Sequence, residues 1–506
     1  MKLRLISAIA MLAIALSACQ KDDDGSVVEV PEAKEVNFQH LTTINAGGTT
    51  EISAFDAISK KLFTVNPDAN EVMVFDLSNI SSPKQLNAID VSALGTPNSV
   101  SVYGDMLAIA VEAGNKQANG NILVYNTDSQ ALQNTFSVGA LPDMVLFSPD
   151  GKYIVTANEG EPSADYLNDP KGSISIIEVA SGNVSTLTFD SFASQETALK
   201  SDGFRVFGPE ASFAQDIEPE YVAISDDSKT AWVTLQENNG IAKVSLEAKQ
   251  ISAIYPLGFK DHSLAENALD ASNKDDVTEL KNWSVKGVYM PDAIKHVAID
   301  GVSYVITANE GDARDYDAFS EEERIKDLTL DAIAFPDAAM LQGDENLGRL
   351  KVTTTLGDTD GDGDYDELYA YGARSYTIWS ENGALVYDSG SDIAKKVLEF
   401  TPDHFNADEG EIDGRSDDKG AEPETVEALK IGERTIMFVG LERNSQVMVY
   451  DISNPTAPEF IQFLSQAGDD APEGVLAISA EDSPSEKELL IVTNEASGTI
   501  SIYENK

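Results

Sequence analysis

The chain has 506 residues, of which 86 are Asp or Glu and 35 are Lys or Arg, so its formal net charge is −51. An acidic surface of this kind repels nucleic acid and anionic membrane surfaces, which argues against both as binding partners. A hydrophobic fraction of 42% is enough for a sizeable core and argues against wholesale disorder. The excess of carboxylates permits divalent cations as ligands.

Residues 1–18 are predicted to be a lipoprotein signal peptide. Lys2 and Arg4 place positive charge ahead of the apolar run 5–16, which is too short to span a bilayer comfortably. The segment LSAC at 16–19 resembles a lipobox, in which the cysteine is lipidated and becomes the first mature residue. Cys19 is the only cysteine of the chain, so intramolecular disulfides, thiolate metal sites and cysteine nucleophiles are excluded in the mature chain. A lipid on Cys19 would hold the chain to a membrane without a spanning helix.

Residues 19–35 are predicted to form an acidic tether. Cys19 is followed by Gln20 rather than by the aspartate that retains many lipoproteins at the inner membrane. The run KDDD at 21–24 resembles the surface-export signals of some lipoproteins, and a solvated spacer is the alternative interpretation. We therefore expect an outer-membrane lipoprotein that faces the periplasm or the cell surface.

Residues 36–506 repeat one order of motifs. Each unit begins with a proline, usually followed by an acidic residue and a short β-rich run. A turn leads to a second apolar run that often ends in Asn-Glu, and a third alternating run closes the unit. The prolines that begin the six clearest units are Pro97, Pro142, Pro219, Pro291, Pro423 and Pro472.

A seventh, less regular unit covers residues 55–76. Three or four short strands repeated seven times predict an all-β fold, a seven-bladed β-propeller, which we expect to be a monomer. The segment 36–44 is the candidate for a strand that closes the ring against the last unit. Independent β-sandwiches are the alternative, but they would not share one motif order throughout.

The repeat predicts where its acidic residues meet. In an antiparallel sheet, the start of the innermost strand and the end of the second strand lie at the same edge. The proline-acid pairs and the Asn-Glu ends should therefore converge on one mouth of the central channel, from which the insertions 160–171 and about 311–371 also leave. The predicted ligand rim at this mouth consists of Asp143, Glu220, Glu237, Asp292, Asp417, Asp418, Lys419, Glu424, Glu442, Arg443, Glu473 and Glu495.

Two copies of an Asn-Glu-Gly-acid motif, at 158–161 and 309–312, follow the second runs of their units. As a catalytic site, they could hold a second divalent metal of unknown identity, with Arg314 clamping a phosphate oxygen. As a structural feature, they could satisfy backbone groups and brace the sheets, and the residues leave both interpretations open. The candidate residues are Glu159, Glu310, Asp312, Arg314 and Asp315.

The segment DTDGDGDYDE at 358–367 matches the D-x-D-x-D-G part of a calcium loop, with Gly363 at the sharp turn. It departs from the EF-hand because position twelve is Tyr369, and Glu367 is the candidate for the missing oxygen. An acidic solvated loop is the alternative, but aspartates that alternate this strictly would repel one another without a cation. The predicted ligands of a structural calcium ion are Asp358, Asp360, Asp362, Asp364, Asp366 and Glu367.

The mixed-charge segment 413–424 leads into the sixth unit of the repeat and ends with its proline-acid pair, Pro423-Glu424. It could bind a metal and an anion or form a salt-bridged loop. The four histidines are scattered without metal-ligand spacing, which argues against a zinc hydrolase. The sequence has no Gly-x-Ser-x-Gly elbow, Walker loop or dinucleotide fingerprint.

Several longer strings resemble the choice-of-anchor I family, which is related to mesenchyme-specific cell-surface glycoproteins. They lie at 142–162, 218–239, 307–316, 415–420 and 440–443, within a likeness that spans about residues 36–506. The chain departs from the family pattern at Ala421, where proline is more common. The resemblance implies a surface propeller attached through different anchors in different members. Members are often labelled alkaline-phosphatase-like, and eukaryotic relatives are linked to calcium mineral.

Two functions follow from these observations. The first is a non-catalytic, calcium-dependent surface module that binds a small anionic ligand or a surface polymer at the acidic rim. The second is a metal-dependent phosphoric-ester hydrolase, alkaline-phosphatase-like or phytase-like, which rests on analogy between folds. The sequence shows no recognisable nucleophile, which favours the binding module.

Overall fold

The apolar runs of the repeat form short strands, because β-branched and aromatic residues suit a pleated surface. The computed structural model describes residues 35–408 and 410–506. The predicted signal peptide, Cys19 and nearly all of the tether lie outside the described residues.

The first half of the described chain forms four antiparallel sheets, after an initial strand β1 (Phe38–Asn45). The first sheet contains β2 (Ser53–Asp56), β3 (Lys61–Asn66), β4 (Glu71–Asp76), β5 (Lys84–Gln85) and β6 (Ile89–Asp90). The second contains β7 (Gly95–Tyr103), β8 (Met106–Ala113), β9 (Asn119–Asn126) and β10 (Leu132–Ala140). The third contains β11 (Pro142–Phe147), β12 (Tyr153–Asn158), β13 (Ser173–Glu178) and β14 (Asn183–Thr188). Helix α1 (Glu196–Ser201) precedes the fourth, which contains β15 (Pro219–Ile224), β16 (Thr230–Leu235), β17 (Gly240–Ser245) and β18 (Gln250–Pro256).

An insertion surrounds the start of the fifth sheet. Its own five-stranded sheet contains β19 (Phe259–Asp261) and β20 (Lys286–Val288), and later β25 (Glu322–Arg324), β26 (Lys351–Thr353) and β27 (Tyr369–Ala370). The fifth sheet of the repeat contains β21 (Ile294–Ile299), β22 (Val302–Asn309), β28 (Ser375–Ser380) and β29 (Leu385–Asp388). Along the chain between β22 and β28 lie the hairpin of β23 (Asp315–Tyr316) and β24 (Phe319–Ser320) and the helix α2 (Ala338–Leu341). The insertion predicted at about 311–371 therefore also uses the connection that contains β19 and β20.

The last two sheets follow helix α3 (Asp392–Phe400). The sixth contains β30 (Pro423–Ile431), β31 (Arg434–Leu441), β32 (Gln446–Asp451) and β33 (Glu459–Leu464). The seventh contains β34 (Pro472–Ile478), β35 (Leu489–Asn494) and β36 (Thr499–Asn505). Short 3-10 helices lie at Asp190–Gln195, Ala265–Asn267, Ile325–Asp327 and Pro402–His404.

The seven sheets of the repeat form a closed ring within the described residues. The first strand of each sheet contacts the first strand of the next, in the order β2, β7, β11, β15, β21, β30 and β34, and β34 contacts β2 again. Strand β1 completes the seventh sheet by pairing antiparallel with β36, as predicted for the closing strand. The prediction of an all-β propeller is therefore confirmed.

Hydrophobic layers between neighbouring sheets hold the ring together. Leu62 and Phe75 of the first sheet pack against Ile491 and Ile502 of the seventh, for example. Similar layers lie between each other pair of adjacent sheets, and a separate one fills the insertion. Burial stabilises by about 1.5–3 kcal/mol for each large apolar side chain. The second strands of the third and fourth sheets, β12 and β16, are covered on both faces, so their sequences are nearly continuous apolar runs.

Candidate functional site

The strand register brings the repeated acidic motifs to one edge of the ring. Pro142 lies opposite Asn158, Pro219 opposite Leu235 and Pro423 opposite Leu441. The acid after each proline and the acid after each second strand therefore lie at the same edge of their sheet, as the repeat predicts. We call this edge the mouth.

Glycines allow the chain to turn away from the mouth after two of the second strands. Gly160 and Gly311 follow Glu159 and Glu310 and have φ angles of +77° and +104°. A Cβ on Gly311 would lie 2.2 Å from the backbone nitrogen of Gly372, so no larger residue fits there. The Asn-Glu-Gly motif thus holds each glutamate in place while the insertion leaves the sheet.

Carboxylates of the mouth are buried near one another, and this raises their pKa values. Burial and then neighbouring carboxylates raise the pKa of Asp143 to about 7 and of Glu51 to about 8. Burial raises the pKa of Glu237 and of Glu442 to about 8. The pKa is also raised, by burial first and then by other acids of the mouth, for Glu159, Glu220, Asp292, Glu424 and Glu473. Glu495 contributes by raising the pKa of Glu51 and of Glu473.

Two groups of three glutamates stand out at the mouth. Glu159, Glu220 and Glu237 form the first triad, and Glu310, Glu424 and Glu442 form the second triad. In each triad, one oxygen from every residue lies within 4.8 Å of the others, which is close enough for one metal ion. The sequence predicted these residues for the mouth but did not predict how they group.

The second triad is bound to a lysine of the chain. The Lys419 Nζ lies 2.8 Å from an oxygen of Glu310 and 3.2 Å from Asp312, which is otherwise exposed. Gln236 donates a hydrogen bond of 2.7 Å to the other oxygen of Glu310. Sequence reasoning missed Gln236, although it directly precedes Glu237 in the repeat.

Arg314 is buried in an ion-pair cluster rather than lying open at the mouth. Its Nη1 donates to Asp216 at 2.7 Å, its Nε donates to Glu218 at 3.1 Å, and its Nη2 donates to the Asp216 carbonyl at 2.7 Å. The ring of Phe207 lies 4.5 Å from the guanidinium carbon. All three nitrogens thus have acceptors within the chain, which is the arrangement of a structural bridge. Sequence reasoning missed Asp216 and Glu218, although Glu218 precedes the Pro-Glu pair of the fourth sheet.

Asp315 does not join either triad. It lies exposed on β23, opposite Ser320 of β24. The hydrolase hypothesis requires Asp315 and Arg314 to act together on a metal-bound phosphate. The structure instead places Asp315 on an exposed hairpin and Arg314 in a buried ion-pair cluster.

The predicted calcium ligands form a compact loop, which we call the aspartate loop (residues 358–366). Asp358 accepts hydrogen bonds from the backbone nitrogens of Gly361 at 2.7 Å and Gly363 at 3.1 Å. Oxygens of Asp358, Asp360 and Asp366 lie within 4.8 Å of one another. Their donor set of hard oxygens fits calcium chemistry.

Four other acids lie in or beside this loop. Asp364 and Asp366 also group with Asp331, which sequence reasoning missed because it lies 33 residues earlier than Asp364. Asp362 accepts a backbone hydrogen bond from Asp364 at 3.1 Å and belongs to neither group. Glu367, the candidate for the missing oxygen, instead pairs with Lys286 at 2.7 Å and accepts a hydrogen bond from Tyr369.

The segment 413–424 is salt-bridged. Asp417 pairs with Arg324 and Arg349, each at 2.7 Å, and Asp418 pairs with Arg415 at 3.0 Å and Lys351 at 3.1 Å. Arg443 pairs with Glu422 at 3.1 Å. Of the two interpretations of this segment, the geometry matches the salt-bridged loop, and the segment contributes Lys419 and Glu424 to the mouth.

Among residues 35–408 and 410–506, no helix is both long and apolar enough to cross a membrane.

The family model of the choice-of-anchor I domain matches residues 51–455 of the chain. Gigasin-3a of Magallana gigas is 32% identical over 188 residues, which cover 32% of this chain and 66% of that protein. The mesenchyme-specific cell surface glycoprotein of Strongylocentrotus purpuratus is 24% identical over 334 residues, which cover 58% of this chain and 41% of that protein. The chain thus spans less than two thirds of the length of either relative. Among solved structures, Kuenenia stuttgartiensis hydrazine synthase aligns with a TM-score of 0.49 and 11% identity, over 95% of this chain and 99% of that chain.

Proposed function

This chain belongs to the choice-of-anchor I domain family, and from that premise we propose that it is an extracellular surface module that binds its ligand at the acidic mouth of the propeller. The observation that carries the proposal is the convergence of half-buried and buried carboxylates from successive sheets on one edge of the ring. Crowded, desolvated carboxylates cost stability, and groups with such strongly raised pKa values cluster at functional sites.

The proposal includes a lipid anchor on Cys19 in the outer membrane, with the propeller facing the periplasm or the cell surface. Its support is the lipobox-like segment 16–19, together with the printed name of the sea-urchin relative, a cell surface glycoprotein. The membrane contact would be made by the lipid, because the acidic propeller itself repels anionic lipid.

The proposal also includes a structural calcium ion in the aspartate loop. Asp358, Asp360 and Asp366 would hold it, since their oxygens are already grouped and their backbone hydrogen bonds fix the loop. When bound, the ion would cancel the repulsion among these carboxylates and stiffen the insertion.

The charge of the mouth restricts what it binds. A small anionic ligand or an anionic surface polymer would be repelled by the unpaired carboxylates unless a divalent cation lay between them. The ligand of the mouth is therefore a cation, or an anionic molecule bridged by one.

The test is the location of the full-length chain in cells that produce it. The wild type should fractionate with the outer membrane, and protease added to intact cells should cleave it if the propeller faces outwards. The Cys19→Ala chain should leave the membrane fraction while keeping its fold by circular dichroism. A wild-type chain found in the cytoplasmic fraction would overturn the proposal.

A further inference from the structure

The first triad combines residues of two neighbouring sheets. Glu159 follows β12 of the third sheet, Glu220 lies at the start of β15 and Glu237 follows β16 of the fourth. Glu220 is 9% exposed and Glu237 is 5% exposed, and Oε2 of each is buried without a hydrogen-bond partner among the described residues. A buried, unpaired carboxylate oxygen is costly, and one oxygen from each residue of this triad lies within 4.8 Å of the other two.

The second triad is built in the same way two sheets further round the ring. Glu310 follows β22 of the fifth sheet, Glu424 lies at the start of β30 and Glu442 follows β31 of the sixth. There, the chain itself supplies a cation, because Lys419 pairs with Glu310. In the described part of the chain, no lysine or arginine pairs with any glutamate of the first triad.

The charges around the first triad do not replace that missing cation. Arg314 faces Glu237 but is bonded to Asp216 and Glu218. Lys116 lies further out, 3.8 Å from Glu161 and 3.9 Å from Glu112. Arg205 reaches only the backbone carbonyl of Glu237, at 3.0 Å, and its charge is paired with Glu321. Apart from Tyr316, the other titratable groups that face the triad are the carboxylates of Asp143, Glu161, Glu218, Asp292 and Asp312.

We propose that Glu159, Glu220 and Glu237 bind one hard divalent cation of the calcium class, in the position that corresponds to Lys419 in the second triad. This site rests on the proposed function and specifies it further, because it names a cation as the ligand that the mouth holds. Three carboxylates are a donor set that calcium accepts in a flexible site.

The protonation of the triad is the competing way to relieve its repulsion. Burial and neighbouring carboxylates raise the pKa of Glu159 and of Glu220, and burial raises the pKa of Glu237 to about 8. Because carboxylates bind a metal ion in their deprotonated form, the binding test is made at pH 8.

The test counts calcium ions bound to the detergent-solubilised full-length chain at pH 8, by equilibrium dialysis with Ca²⁺, alongside the melting temperature. The test variant is Glu220→Gln with Glu237→Gln, and the matched control is Glu424→Gln with Glu442→Gln in the second triad. The test variant should bind one Ca²⁺ fewer per chain than the wild type. Without calcium, the test variant should melt at the same temperature as the wild type or at a higher one, because the repulsion among the glutamates is reduced. Adding calcium should raise its melting temperature by less than it raises that of the wild type.

The control should bind as many ions as the wild type. If the test variant does not fold, Glu159→Gln, at a half-buried position, replaces it with the same expectation. An unchanged number of bound ions in a folded variant of the first triad would overturn the inference. This result is independent of the cell-fractionation result, so the cation site and the surface location can fail separately.

Discussion

The Lys419 ammonium lies 2.8 Å from one carboxylate oxygen of Glu310, at the mouth of the propeller. The other oxygen of Glu310 accepts a hydrogen bond from Gln236, so this glutamate is fully engaged within the chain. The glutamates of the first triad have no such partner in the structure as described. The two triads therefore share a framework but differ in whether the chain provides the cation.

Replacing Lys419 by methionine should destabilise the protein by about 3–5 kcal/mol, because it leaves Glu310 buried without its counter-charge. Calcium should restore part of the loss, since the second triad would then resemble the first. Urea denaturation at pH 8, with and without Ca²⁺, measures both effects. The control is Lys152→Met, which removes a more exposed pair with Asp150 and should cost less than about 1 kcal/mol. Equal losses in the two variants would contradict the assigned role of Lys419.

The stability of the metal-free protein should fall as the pH rises from about 4.5 to about 8. Glu237 and Glu442 have an ordinary pKa of 4.5, raised in the folded state to about 8, so the folded protein binds more protons than the unfolded chain in this interval. The free energy of unfolding therefore decreases with increasing pH. We expect a loss of more than about 1.4 kcal/mol, the equivalent of one pKa unit. Urea denaturation in EDTA at pH 5.5, 7 and 8.5 checks it.

The same series has an internal control. Glu220→Gln with Glu237→Gln removes two of the titrating groups and should flatten the pH dependence. A wild-type protein that grows more stable between pH 5.5 and 8.5 in EDTA would show that folding does not raise the pKa values of the mouth carboxylates.

Asp360→Asn should weaken calcium binding to the aspartate loop by about tenfold or more, because it removes one charged ligand from the group with Asp358 and Asp366. Asp362→Asn is the matched control, since Asp362 belongs to neither three-carboxylate group, and it should bind calcium nearly as the wild type does. Calorimetric titration with Ca²⁺ distinguishes the two. A larger loss in Asp362→Asn would favour the ligand set predicted from the sequence over the one that the geometry indicates.

Arg314→Met should destabilise the fold by about 3–5 kcal/mol, because it leaves Asp216 and Glu218 buried without their cation. Lys171→Met, which breaks an exposed pair with Asp190, should cost less than about 1 kcal/mol. Thermal and urea unfolding measure these losses. A fully stable Arg314→Met protein would mean that the arginine is not a structural bridge, and would reopen a role for it in binding phosphate.

The repeat predicted the propeller and the edge at which its acids meet. Each unit begins with a proline and its second run often ends in Asn-Glu, and these motifs recur in a fixed order along the chain. It could not predict the pairing of Lys419 with Glu310, since that contact joins residues 109 positions apart and depends on how the loop 413–424 folds. The ion pairs of Arg314 were missed for the same reason, as they cross from the insertion to the connection before β15. Asp331 was missed because its contact with Asp364 also depends on the fold of the insertion.

A crystal structure of the protein with Mn²⁺, recorded for anomalous scattering, would locate a bound cation directly. We predict an anomalous peak between the carboxylates of Glu159, Glu220 and Glu237, with no peak in the second triad beside Lys419. A map that lacks a peak at the first triad, or that shows one in the second triad alone, would contradict a cation-binding mouth.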